Sequence, residues 1–199
     1  MTTTFFLVRH AAHDNVGGFL AGRTPGIVLG PAGLAQAERL GARMSRETFA
    51  AIYASPRERT QQTAAAISSA SGVGPVQTAE ELDEIDFGDW SNKTFDVLNT
   101  DPLWRQWNTV RSVTRTPGGE TVLDVQGRVL RLMERLGKQF ADQAVVLVTH
   151  ADIIKSALSY HLGLPFDAWP RFEISPASIS TVVVGDWGAR VHGINEVIW

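Results

Sequence analysis

Short apolar runs alternate along the chain with stretches of helical periodicity. Residues 5–8 are four consecutive apolar positions with aromatic and β-branched members, and residues 144–148 repeat that pattern. Such runs are typical of strands that are buried on both faces of a parallel sheet. The same pattern predicts four more strands, at residues 51–54, 76–78, 178–185 and 191–195.

Apolar residues spaced three and four apart predict the intervening helices. One helix begins at Pro31, a second runs from the Ser55-Pro56 pair to about Ser69, and a fourth runs from about Asp152 to Leu162. The third follows the turn at residues 117–121. The predicted core faces of the first and third helices are Leu34, Ala37, Leu40, Gly41 and Met44, and Val122, Val125, Val129, Leu132, Met133, Leu136 and Phe140.

The alternation of strands and helices predicts an α/β fold with a mostly parallel central sheet and helices on both faces. Neither a linker nor an internal repeat divides the chain, so we expect a single domain over residues 1–199. The segment at residues 94–116 is expected to hold helical pieces and loop. Its conformation does not follow from the pattern.

Composition narrows the class of protein. The chain has 199 residues, of which 44% are hydrophobic, and a net charge of −3. That charge argues against a nucleic-acid or membrane-surface partner, so an anion site must be a local concentration of cations. The chain has no cysteine, and no apolar run approaches the ~18 residues that span a bilayer. Without a signal-peptide pattern, a cytoplasmic location is the expectation.

Two of the predicted strands end in histidine, at His10 and His150. Because parallel strands present their carboxyl ends at one edge of a sheet, we expect both imidazoles there, with Arg9 beside His10. Arg57 and Arg59 follow a third strand. Cations that converge at helix amino termini suit a tetrahedral dianion. The alternative for His150 is a core histidine that is hydrogen-bonded to the backbone.

Five motifs in order along the chain together resemble the histidine phosphatase superfamily, the group of phosphoglycerate mutases and many small phosphomonoesterases. They are Arg9-His10, Ser55-Pro56 with Arg59, residues 82–90 (LDEIDFGDW), residues 117–120 (PGGE) and Val148-Thr149-His150. The resemblance implies a phosphoglycerate mutase-like three-layer α/β/α sandwich. It also implies a phosphomonoesterase that needs neither metal nor cofactor and acts on a small phosphorylated metabolite.

The resemblance also implies roles for individual residues. His10 is the nucleophile, Glu84 is the proton donor to the leaving group, and Arg9, Arg59 and His150 stabilise the phosphoryl group. Asn15, Arg23 and Ala151 are further expected phosphate contacts. The acidic stretch around Glu84 is equally typical of a solvated face, and Asp86 is the alternative acid.

The chain departs from the family at several positions. Ala11, Ala12 and His13 stand where Gly, Glu and Thr are usual, and Asn15 lies one residue earlier than the family's asparagine. Arg57 occupies a usually apolar position and is expected to be a cation at the rim of the site.

The expected chemistry follows from charge. A transferring phosphoryl group carries negative oxygens, which fixed cations stabilise. His10 attacks only as neutral imidazole, a form that neighbouring guanidiniums favour. The product is a phosphohistidine, which we expect water to hydrolyse after Glu84 has protonated the leaving alkoxide. Activity is expected to survive chelation of metals.

Three other functions stay open at this point. A metallohydrolase would use His10, His13 and His150 with Asp14 or Asp152, since imidazole and carboxylate bind zinc. A silent phosphate-binding protein would lack a working acid. A mutase would need cations for a second anion, for which Arg105, Arg111 and Arg115 are the candidates besides Arg23, Arg57 and Lys93. The oligomeric state is open, with a homodimer as one candidate, and the 94–116 segment is the expected substrate lid.

Overall fold

The strands form one six-stranded sheet in the order β3-β2-β4-β1-β5-β6. The computed structural model describes residues 1–14 and 17–198. Strands β1 to β4 run parallel, whereas β5 is antiparallel to β1 and β6 is antiparallel to β5. The strands are β1 (Thr2–Arg9), β2 (Ala51–Ala54), β3 (Gln77–Thr78), β4 (Ala144–Thr149), β5 (Ile179–Gly185) and β6 (Gly188–Glu196).

Helices cover both faces of the sheet, which confirms the three-layer prediction. The helices are α1 (Pro31–Met44), α2 (Glu58–Ser71), α3 (Phe95–Leu98), α4 (Pro102–Thr109), α5 (Val122–Gln139) and α6 (Ala151–His161). Helices α1 and α2 pack on one face, and α5 and α6 pack on the other. Within the described residues, no helix is long and apolar enough to cross a membrane. Because one sheet takes strands from both ends of the chain, we propose one domain over residues 1–199.

Strand β1 lies in the interior of the sheet, which explains its uninterrupted apolar run. Phe5 and Leu7 point into the layer with α5 and α6, and Phe6 and Val8 point into the layer with α1 and α2. β1 pairs with β4 in parallel register, with Arg9 opposite Thr149. The residues that follow the two strands therefore emerge side by side, as predicted from the sequence.

Helix α1 is rotated slightly from the predicted face. Leu34 is 47% exposed, and Gly33 is buried in its place. A Cβ at Gly33 would collide with the carbonyl of Ala12, so the loop after β1 lies directly on this helix. The predicted core positions Ala37, Leu40, Gly41 and Met44 are buried.

The 94–116 segment forms α3, α4 and a short 3₁₀ turn at Arg111–Val113. Trp90 anchors it, because the indole Nε1 donates to Asp101 Oδ2 at 2.8 Å and the ring packs edge-on against Trp104 at 5.2 Å between centroids. Helix α5 follows, and Thr121 and Asp124 form a capping box at its first turn.

Candidate active site

His10 and His150 lie at the carboxyl ends of β1 and β4, with their ring centroids 5.3 Å apart. Both imidazoles are buried. The parallel register of the two strands brings them together, because the backbone N–H of His10 donates to the carbonyl of Thr149 at 2.9 Å. The carboxyl edge of the sheet is therefore the candidate site, in line with the sequence prediction.

The His10 ring is held in one tautomer. Its Nδ1 lies 2.8 Å from the carbonyl oxygen of Ala11, which only accepts, so Nδ1 carries the proton and Nε2 carries the lone pair. Burial and the charges of Arg59 and Arg9 hold the pKa of His10 well below its usual range. His10 is consequently a neutral imidazole at neutral pH, which is the form that attacks phosphorus.

Arg59 connects the two histidines from the first turn of α2. Its Nε donates to His10 Nε2 at 3.3 Å, and its Nη2 donates to His150 Nδ1 at 3.1 Å and to the carbonyl of Gly22 at 2.8 Å. The side chain is buried, and its Nη1 has no hydrogen-bond partner among residues 1–14 and 17–198. The guanidinium therefore keeps one buried donor for a ligand.

Arg9 is the second cation of the site. Its Nη1 donates to the carbonyl of Ile174 at 2.6 Å, and its buried Nε has no partner in the part of the chain that the structure describes. Within the same residues, neither Arg9 nor Arg59 forms an ion pair with a carboxylate. Their charges are therefore not neutralised by a carboxylate in contact with them.

His150 is oriented by a chain of buried groups that ends in a carboxylate. Since Arg59 donates to Nδ1, the proton lies on Nε2, which donates to Ser55 Oγ at 2.9 Å. Ser55 Oγ in turn donates to Asp83 Oδ1 at 3.3 Å. Sequence reasoning missed the roles of Ser55 and Asp83, because Ser55, Asp83 and His150 come from remote parts of the chain.

Glu84 reaches His150 from the acidic loop between β3 and α3. Its Oε1 accepts the backbone N–H of Ile85 at 2.9 Å, and its Oε2 lies 3.5 Å from His150 Nδ1. Burial, together with the negative charge of Asp152, raises the pKa of Glu84 to about 7 against the opposing effect of Arg59. This carboxyl group can therefore both donate and accept a proton near neutral pH.

A second loop holds the acidic loop in place. Gly88 has a positive φ of 53°, and a Cβ there would collide with the carbonyl of Pro117. Glu120 Oε2 accepts the backbone N–H of Asp86 at 3.0 Å, and the N–H of Glu120 donates to the Asp86 carbonyl at 2.9 Å. The residues of the PGGE motif thus support the Glu84 loop from outside the pocket.

The site opens into a pocket of about 210 Å³. Its lining includes guanidinium and imidazole groups as well as apolar side chains. His13 also lies there, with its ring stacked on His10 at 5.8 Å between centroids. The lining residues are Arg9, His10, His13, Gly17, Phe19, Leu20, Ala21, Gly22, Arg59, Glu84, Phe87, Phe95, Ala151 and Asp152.

Some of the predicted site residues lie outside this lining. Arg23 forms ion pairs with Asp83 at 3.4 Å and Glu120 at 2.9 Å, and its role as a phosphate contact stays a prediction. Arg57 pairs with Asp83 at 2.9 Å. Asp86, the alternative acid, is part of the same cluster through Arg23 at 3.6 Å. Asn15 lies outside the described residues.

The three histidines of the metallohydrolase hypothesis share the site, but they do not form a metal centre. Within residues 1–14 and 17–198, no group of three or more histidine, aspartate or glutamate side chains is arranged to hold a metal ion. Arg59 occupies the space between His10 and His150, where a metal would have to bind both. The donor geometry therefore does not fit that alternative.

Comparisons with known proteins agree with the site. The profile of the histidine phosphatase superfamily (branch 1) matches residues 5–197. The chain is 31% identical over 182 residues to phosphoserine phosphatase 1 of Hydrogenobacter thermophilus, covering 88% of this chain and 84% of that protein. It is 26% identical to the adenosylcobalamin/alpha-ribazole phosphatase of Escherichia coli, covering 96% and 95%. A mycobacterial glucosyl-3-phosphoglycerate phosphatase structure superposes with a TM-score of 0.87 at 25% identity, covering 98% and 100%.

Proposed function

The chain belongs to the histidine phosphatase superfamily, and we propose that it hydrolyses phosphate monoesters with His10 as the nucleophile. It is a phosphoric monoester hydrolase whose relatives act on small phosphorylated metabolites. The observation that carries the assignment is the contact of Arg59 with both His10 Nε2 and His150 Nδ1, which puts a cation that lacks a carboxylate partner beside the nucleophile. No other cluster of the described residues combines these groups.

In the first step, His10 Nε2 forms a bond to phosphorus and the ester P–O bond breaks. The equatorial oxygens are most negative in the transition state, where Arg9, Arg59 and the backbone N–H of Ala151 at the amino terminus of α6 stabilise them. Burial and the charge of Arg59 hold the pKa of His150 well below its usual range, so its neutral Nδ1 accepts from Arg59 Nη2 and orients that guanidinium, while the Ser55–Asp83 chain fixes the imidazole. The product is a phosphohistidine at His10.

Glu84 serves both steps. As a carboxylic acid it gives its proton to the leaving alkoxide, and as the resulting carboxylate it takes a proton from the water that attacks phosphorus. The P–N bond then breaks, which releases inorganic phosphate and restores neutral His10. A pKa of about 7 suits both roles, because neither protonation state is strongly disfavoured near neutral pH.

We infer hydrolysis and not a mutase reaction from the positions of the arginines that were candidates for binding a second phosphate. Arg111 is buried and paired with Asp152 at 2.9 Å, and Arg115 is paired with Asp124 at 3.1 Å. Arg105 lies in a separate surface pocket. Among the described residues, none of these candidates lines the active-site pocket, so a second phosphate would lack a cation there.

A panel of phosphorylated metabolites tests the proposal, with release of inorganic phosphate as the readout and His10→Ala as the control. We expect phosphate release from several monoesters by the wild-type protein and none by the variant. Incubation with 3-phosphoglycerate and catalytic 2,3-bisphosphoglycerate tests the mutase alternative. Rapid formation of 2-phosphoglycerate with little free phosphate would refute hydrolysis as the main reaction.

The finer properties expected from the sequence belong to the same proposal. We propose a small-molecule phosphate ester as the substrate, a cytoplasmic location, and independence from metals. A homodimer stays a prediction that a measurement of molar mass in solution would test.

A further inference from the structure

Asp152 lies in the first turn of α6, beside Ala151, and lines the active-site pocket with Glu84. We propose that Asp152 determines substrate specificity by accepting a hydrogen bond from a hydroxyl or ammonium group of the substrate and by repelling a second anion. The proposal rests on the phosphatase function proposed above and adds the chemical class of the alcohol part. In the reaction steps described above, this carboxylate acts only through its effect on the pKa of Glu84.

The Asp152 carboxylate is held by a buried arginine that does not reach the pocket. Arg111 Nη1 donates to Asp152 Oδ1 at 2.9 Å, and Asp152 has no other side-chain partner among the described residues. The Arg111 guanidinium lies 3.7 Å from the ring centroid of Trp169 and 5.1 Å from that of Trp107. Arg111 is buried, whereas the Asp152 side chain is 23% exposed. The ion pair therefore presents its negative end to the ligand.

A second buried cation is also kept behind this wall. Lys155 follows Asp152 by one turn of α6, and its Nζ lies 5.1 Å from the Trp169 ring and 5.7 Å from the Phe172 ring. Neither Lys155 nor Arg111 is among the residues that line the pocket. The aromatic rings shield both charges from a ligand, so the cations near Asp152 do not create an anion site for the distal part of the substrate.

The other walls agree with this assignment. The only cations that line the pocket within the described residues are Arg9, which directly precedes His10 in the chain, and Arg59, which contacts His10. Phe19, Phe87 and Phe95 provide apolar surface. A matching substrate carries one phosphate, a hydroxyl or ammonium group within reach of Asp152, and an apolar part. A carboxylate or second phosphate at that place would face a like charge.

Asp152 also stabilises the fold, and the test must distinguish this effect from its proposed contact with the substrate. An acidic residue in the first turn stabilises a helix through the helix dipole, and loss of the carboxylate would leave Arg111 with a weaker partner. Asp152→Asn keeps an oxygen acceptor for Arg111 and removes the charge. Asp152→Glu keeps the charge, and Glu134→Gln removes an equal charge from an exposed site on α5. Thermal unfolding of each variant measures the structural effect separately.

The test measures competitive inhibition of phenyl phosphate hydrolysis by ethanolamine phosphate and by 3-phosphoglycerate. The comparison is made at about pH 5.5, below the pKa of about 7 of Glu84 in the wild-type protein. Loss of the Asp152 charge lowers the pKa of Glu84, which adds negative charge to the pocket and therefore opposes the shift expected below. We expect wild-type protein and Glu134→Gln to bind ethanolamine phosphate more tightly. Asp152→Asn should shift the ratio of the two inhibition constants toward 3-phosphoglycerate by about tenfold or more, and Asp152→Glu should retain the wild-type preference.

The outcomes distinguish this proposal from the function on which it rests. Phenyl phosphate hydrolysis that is lost in His10→Ala, with a ratio that Asp152→Asn leaves unchanged, would overturn the role of Asp152 alone. A wild-type preference for 3-phosphoglycerate would overturn it as well. Failure of the wild-type protein to release phosphate from phenyl phosphate and from every ester of the metabolite panel would overturn the phosphatase function itself.

Discussion

Two neighbouring groups of arginines differ in the groups that accept hydrogen bonds from their guanidiniums. In the proposed catalytic group, Arg9 and Arg59 donate to backbone carbonyls and imidazoles. In the adjacent ionic cluster, the arginines pair with carboxylates at 2.9–3.6 Å. That cluster consists of Arg23, Arg57 and Arg128 with Asp83, Asp86 and Glu120.

The carboxylates show the same division. Glu84, in the catalytic group, has no arginine ion pair among the described residues, and burial raises its pKa to about 7. Glu120, in the ionic cluster, accepts from Arg23 at 2.9 Å and from Arg128 at 3.0 Å. Both groups contain arginines and carboxylates, so the residue types do not separate them. The contacts of each side chain separate the residues proposed to bind and protonate a ligand from those that hold the loops.

The largest expected difference is between two glutamates. Glu84→Gln should slow hydrolysis of an alkyl phosphate by ~10²–10⁴-fold, because general acid–base catalysis contributes that much. The loss should be much smaller with p-nitrophenyl phosphate, whose leaving group needs no proton. The matched variant Glu120→Gln should lose less than about tenfold on either substrate. Equal losses for the two variants would erase the distinction between the groups, and a larger loss from Asp86→Asn would transfer the acid role.

The next comparison is between two arginines of one segment. Arg59→Lys should lower kcat by about 10²–10³-fold, because an ammonium cannot reproduce the guanidinium contacts with His10, His150 and the phosphoryl oxygens. Arg57→Lys keeps a charge near Asp83 and should lose less than about tenfold. Steady-state kinetics on one alkyl phosphate measures both. A loss in Arg57→Lys as large as in Arg59→Lys would place Arg57 among the catalytic groups.

The pH dependence of kcat/KM should distinguish Glu84 from His10. The pKa of Glu84 is raised to about 7, so its acid form declines above that pH, and kcat/KM for alkyl phosphates should fall about tenfold per pH unit there. Burial holds the pKa of His10 well below its usual range, so protonation of His10 should not reduce activity near pH 6. A pH–rate profile checks both limbs. In Glu84→Gln the alkaline decline should disappear, and its persistence would assign that limb to another group.

Glu120→Ala should have the smallest effect on catalysis and a clear effect on the free energy of unfolding. Glu120→Ala removes the carboxylate that accepts from Arg23, Arg128 and the N–H of Asp86. Hydrogen bonds to charged groups contribute ~1.5–3 kcal/mol, so we expect the free energy of unfolding to fall by about that amount. Denaturant unfolding measures the loss. A variant of unchanged stability would show that the ionic cluster does not hold these loops.

The sequence predicted the parts of the molecule that depend on local pattern. Strands β1 and β4 are buried on both faces and end in polar residues, so the meeting of His10 and His150 followed from the rules of parallel sheets. One predicted position of the α1 face was wrong, since Leu34 is exposed and Gly33 is buried. The contact of Gly33 with the Ala12 carbonyl is a tertiary close approach. Periodicity cannot reveal such an approach.

The partners of the two groups of arginines do not follow from the sequence pattern; only the family resemblance separated Arg59, expected at the phosphate, from Arg57, expected at the rim. Arg57 and Arg59 lie two residues apart in one segment, yet one meets Asp83 and the other meets two histidines. Which of them is neutralised depends on carboxylates that come from remote loops. The pairing of Arg111 with Asp152 has the same origin, since forty residues of chain separate the two side chains.

The phosphorylated intermediate tests the central claim most directly. Wild-type protein that is turning over an alkyl phosphate is quenched in alkali, digested, and analysed by mass spectrometry, with His10→Ala in parallel. We predict an acid-labile phosphate on the His10 imidazole of the wild-type protein, and neither phosphate nor turnover in the variant. Phosphate on another residue, or turnover retained by His10→Ala, would contradict the assignment of His10 as the nucleophile.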